Sequence, residues 1–146
     1  MGNRVNIGLT SKANGTVQVY AHSHGERSAV TLANALDRGR GRWGDDSYLT
    51  RIIISEFVHE IGWDSETGMG ISGRRVFGRD DLTVYFGERP DEHGIFGSVQ
   101  GTVKIGKYGV GDGGYLKAHR GTHTFEEFIA LVKANPDLYA GYSEEE

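Results

Sequence analysis

From Gly39 to Asp46 the chain reads Gly-Arg-Gly-Arg-Trp-Gly-Asp-Asp. Two guanidinium groups on a glycine-rich turn that runs straight into a helix start are the ingredients of an anion site. Arg40 and Arg42 supply forked donors, the backbone around Gly41, Gly44 and Asp45 supplies unpaired N–H groups, and Trp43 supplies a stacking face. A second polar group, Tyr20, His22 and His24, leaves the end of a predicted strand. Strand alternation turns His22 and His24 to one side, as a metal pair requires. No spacing selects a third ligand among His59, Glu60, His93, His119 and His123, so neither a metal nor a cofactor is assigned. The expected ligand-binding set is therefore Tyr20, His22, His24, Arg40, Gly41, Arg42, Trp43, Gly44 and Asp45, around a nucleotide or another small phosphorylated ligand. The same residues equally well build a sharp connection between two packed helices, with the arginines in water and Trp43 and Tyr48 as covers on the core.

Much chemistry is excluded at the outset. The chain has no cysteine, which removes disulfides, thiol nucleophiles and thiolate metal sites. It has no G-x-S-x-G for serine catalysis, and no catalytic residue is assigned. G-x-G-x-x-G occurs at Gly39/Gly41/Gly44, Gly68/Gly70/Gly73 and Gly109/Gly111/Gly114, never between a strand and a helix as a dinucleotide fingerprint requires. With 16 Lys and Arg against 20 Asp and Glu, the net charge of −4 suits no broad face for a nucleic-acid duplex. The basic spots at Arg38/Arg40/Arg42 and Arg74/Arg75 suit a small anion better than a polymer. No apolar run approaches 18 residues and the first residues lack a signal-peptide core, so neither membrane insertion nor secretion is expected.

These residues need elements to position them. Val5, Ile7 and Leu9 alternate with polar positions, as do Val17, Val19 and Ala21, and Asn14-Gly15 between them predicts a β-hairpin. Ser28 is placed to cap a helix carrying Ala29, Leu32, Ala33 and Leu36 on one side, with Gly39 as its left-handed terminator. Asp45 or Asp46 caps the next helix, in which Leu49, Ile53, Phe57 and Ile61 share a stripe ending at Gly62. Strands are expected over 82–86, 95–99 and 102–105 as an antiparallel meander. Glu66–Ser72 reads as a polar turn. Thr124-Phe-Glu-Glu127 is a capping box for a last helix, stopped at Asn135-Pro136. The expectation is an α+β single domain over 1–146: an antiparallel sheet of about five strands, three helices mainly on one face, and a frayed acidic tail at 142–146.

The run Tyr20-Ala-His-Ser-His-Gly25, the block GRGRWGDDSYLTRII and the phrase ETGMGIS resemble segments of small accessory proteins encoded by tailed bacteriophages, over roughly the first half of the chain. That resemblance implies a host-cytoplasmic setting and transfers no catalytic residue. It makes sequestration of a nucleotide-derived host defence signal the first functional expectation. Inhibition of a host protein by direct binding is the alternative, and a metal-dependent phosphoesterase is a distant third. A homodimer is compatible with the two sheet edges that such a fold leaves.

Overall fold

The computed structural model describes residues 4–12, 15–22, 24–25, 27–62, 68–74, 81–87, 100–136 and 138. In chain order the elements are β1 (Val5–Ser11), β2 (Gly15–Ala21), α1 (Arg27–Arg38), a 3-10 turn (Arg40–Arg42), α2 (Asp46–Ile61), β3 (Met69–Ser72), β4 (Leu82–Tyr85), β5 (Thr102–Ile105), a second 3-10 turn (Lys117–His119), β6 (Gly121–Thr124) and α3 (Phe125–Lys133). The six strands form one sheet in the order β3-β2-β1-β4-β5-β6. The fold is α+β.

Alternating apolar residues give the sheet its buried face. Val5, Ile7, Leu9, Val19, Ala21, Leu82, Val84, Val103 and Ile105 join Ala29, Leu32 and Leu36 of α1, Leu49, Ile53 and Phe57 of α2, and Phe125, Phe128, Ile129 and Val132 of α3 in one core. Helix α1 touches both α2 and α3. Its small residues Ala29, Ala33 and Ala35 allow that close approach.

Several local expectations are corrected. The sheet has six strands, because Met69–Ser72 pairs with β2 (Val19↔Ile71) and Gly121–Thr124 pairs with β5 (Val103↔His123). Each of these two segments contains a glycine and few apolar residues, so alternation does not mark it, and it is the neighbouring strand that makes it extended. One pair is parallel: β1 runs with β4, from Ile7↔Leu82 to Thr10↔Tyr85. The intervening helices supply the long connection that a parallel pair needs. Ser28 does not cap α1, which starts at Arg27; Ser28 is buried in the first turn. Gly39 is not left-handed, with φ −91°. A Cβ there would lie 2.7 Å from Leu49 Cδ1 and 3.1 Å from the Ala35 carbonyl, so close packing against α2 requires the glycine. The expected strand over 95–99 and the tail at 142–146 lie outside the described residues.

A fully buried carboxylate fixes the glycine-rich segment at 106–114. Asp81 accepts from the backbone N–H of Asn6 at 2.8 Å and of Gly111 at 3.0 Å. Its own N–H donates to the Asn6 carbonyl and its carbonyl accepts from Gly106. Gly109, Gly111 and Gly114 all have positive φ, which glycine adopts without the Cβ clash. Turn geometry accounts for that G-x-G-x-x-G match.

Candidate functional site

Each arginine of the glycine-rich turn is placed by a carboxylate. Arg40 Nε donates to Asp37 Oδ1 at 2.6 Å, and both its terminal nitrogens donate to Glu126 at the start of α3, one of them at 3.2 Å. These bonds hold the Arg40 guanidinium protonated, Glu126 contributing more than Asp37, and they keep both carboxyls below the usual range. Arg42 Nη1 lies 3.4 Å from Asp45 Oδ2, and Arg38 pairs with Glu56. Gly41 is exposed, and a Cβ on it would meet nothing within 4 Å. Trp43 turns inward: it is 5% exposed, donates from Nε1 to the Leu36 carbonyl at 2.8 Å and meets Phe125 edge-on. Gly44 and Asp45 are buried as well, with Asp45 as the N-cap of α2 accepting from the Tyr48 N–H.

The histidine group lies elsewhere. The His24 carbonyl accepts from Ser28 at the start of α1, whereas Gly39 closes the last turn of that helix. Twelve residues of helix, about 18 Å long, therefore separate Tyr20, His22 and His24 from the arginine turn. The two groups do not share one recess. His22 is exposed and meets Tyr20 edge-on. His24 is buried against Phe57 with Nε2 3.0 Å from Thr31 Oγ1. Burial, reinforced by nearby Arg27, pushes its pKa down to about 4. Strand β2 ends at Ala21, so alternation does not carry through to His24 and the two rings part. Among the described residues no group of three or more metal-ligating side chains comes together.

The structure assembles a different surface on the solvent side of α2. The Arg42 guanidinium sits 4.4 Å from the centre of the Tyr48 ring. The Arg42 side chain is 44% exposed and Tyr48 is 48% exposed. Asp45 sets this stack from both ends, pairing with Arg42 and receiving the Tyr48 N–H at 3.3 Å. Ser47, Arg51, Ser55 and His59 follow at four-residue spacing and are all exposed. Arg51 falls about 40° from Ser47 and about 60° from Tyr48 around the helix. On the α1 side, Arg38 is 64% exposed above Glu56, which is 8% exposed. The guanidinium groups thus face water while the Asp45 and Glu56 carboxylates lie beneath them.

Beside Ser47 is a recess of about 260 Å³ at the carboxyl ends of β1 and β4. Leu9, Val17 and Phe86 form apolar walls, and Ser11, Ser47 and Thr50 bring hydroxyls. Ser11 Oγ donates to Asp46, which ties the end of β1 to the start of α2. Sequence reasoning misses Arg51 and the recess. The four-residue polar stripe 47-51-55-59 marks the solvent face, but nothing local indicates which strand ends lie beside it.

Compared with protein-family models, curated proteins and solved structures, the chain gives no match.

Proposed function

We propose that this chain is a recognition protein without turnover chemistry, which binds an acidic surface of a partner protein through the solvent face of α2. One observation carries the reading: Arg42 stacked on Tyr48, both nearly half exposed and pre-set by Asp45. Arginine and tyrosine concentrate binding energy at protein interfaces, and a side-chain pair held in place beforehand loses less entropy on association. Arg38 and Arg51 extend the cationic surface on either side. The resemblance to tailed-phage accessory proteins puts the partner among host proteins in the cytoplasm of an infected bacterium, where inhibition by occupancy needs no catalytic residue.

Retention of a small phosphorylated ligand or nucleotide is the second reading, and the exposure of Arg38 and Arg42 favours it. It draws less support because, among the described residues, the recess beside Ser47 carries no arginine on its walls.

A photo-crosslinking amino acid at Ser55, on the same face, tests the first reading in infected cells, with Lys117 as a distant control position. The expected result is one discrete protein adduct from position 55 that Arg42→Glu abolishes. An adduct unaffected by Arg42→Glu, or none, overturns it. Thermal stabilisation by a specific nucleotide that Arg42→Ala removes would establish the second reading instead.

A further inference from the structure

We infer that the recess beside Ser47 is the anchor pocket of this surface, seating one uncharged, ring-sized side chain of an acidic partner segment. This rests on the proposed reading of the α2 face. The recess lies below the range of about 300–1,000 Å³ usual for drug-sized ligands, and a single side chain suits it better than a whole cofactor. Its chemistry is divided in the same way. Leu9, Val17 and Phe86 offer apolar contact inside, and the hydroxyls of Ser11, Ser47 and Thr50 can meet one polar atom on a ring. Among the described residues no cationic side chain lines it, and the Asp46 carboxylate that receives the Ser11 hydroxyl disfavours an anion there.

The charges outside are the complement. Arg51 lies between Ser47 on the rim and Tyr48 under Arg42, so acidic groups flanking an anchor in the recess would fall against exposed guanidinium groups. An apolar anchor in a pocket with charged groups at its rim is the usual energetic layout of a protein interface. The occupant is thus an acidic segment with one neutral aromatic residue.

Saturation-transfer NMR with benzyl alcohol and with benzoate tests the recess without needing the partner. Transfer to benzyl alcohol exceeding that to benzoate is expected, with loss of the benzyl alcohol signal in Ser47→Trp. Ser47 is exposed, so this substitution fills the rim without disturbing the core, and circular dichroism verifies folding. Thr50→Phe is the second recess-filling variant. Equal transfer to both probes, or transfer that survives both filled variants, overturns the inference. In the crosslinking experiment, loss of the adduct in Ser47→Trp supports it. An adduct kept in both filled variants but lost in Arg42→Glu removes the anchor pocket and leaves the acidic-surface reading standing.

Discussion

Asp45 holds Arg42 and Tyr48 at once: one carboxylate oxygen lies 3.4 Å from Arg42 Nη1 and the other accepts the Tyr48 N–H at 3.3 Å. The helix cap and the exposed cation–aromatic stack are therefore one unit. Asp45→Ala should lower stability by about 1 kcal/mol through the lost cap and also weaken partner crosslinking. Asp45→Asn keeps an acceptor for the cap and should recover most of the stability but not the crosslink. Urea denaturation alongside the Ser55 adduct yield measures the two effects separately.

Arg40, two residues from Arg42, has a different task. Its partners Asp37 and Glu126 are exposed and join the turn to α3. Arg40→Ala should lower Tm only slightly, by less at high salt, and leave the crosslink unchanged. Melting curves at low and high ionic strength read this out; loss of the adduct at unchanged Tm would make Arg40 part of the recognition surface.

Trp43 is a core residue in a segment that looks like a site. Trp43→Ala should cost about 3–5 kcal/mol, whereas Trp43→Phe keeps most of the packing and loses the bond to the Leu36 carbonyl. Equilibrium unfolding distinguishes these outcomes from the near-zero effect that a solvent-facing stacking residue would give.

Gly39 and Gly41 make a paired test. Gly39→Ala places a Cβ 2.7 Å from Leu49 Cδ1 and should destabilise by about 1–3 kcal/mol. Gly41→Ala meets nothing within 4 Å and should be close to neutral. Equal costs at the two positions would refute the assignment of Gly39 to helix packing.

His24 predicts a pH dependence. Its folded pKa of about 4 lies below the ordinary 6.5, so between those values the unfolded chain binds the proton more readily. Its contribution is fully present above pH 6.5 and falls as pH drops toward 4, by up to about 3 kcal/mol. Below pH 4 this group adds no further loss. His24→Gln should flatten that part of the stability profile, as measured by urea titrations from pH 4 to 7.

Local patterning along the chain is enough to specify the hairpin, the amphipathic stripes of α2 and α3, the Asp45 cap and the Thr124–Glu127 capping box. Each of these is decided by side chains within a few residues of one another along the chain. It also showed that the arginine turn joins two helices. What those arginines meet depends on packing between distant elements. Glu126 reaches Arg40 from 86 positions away, Glu56 reaches Arg38 from 18, and α1 carries the histidine group off to its opposite end. Charge pairing and strand order are long-range choices that local spacing does not encode, and β3, β6 and the parallel β1–β4 pair belong with them. The arginine turn therefore reads locally as an anion cradle and folds as a braced corner, with Arg42 left outward on Tyr48.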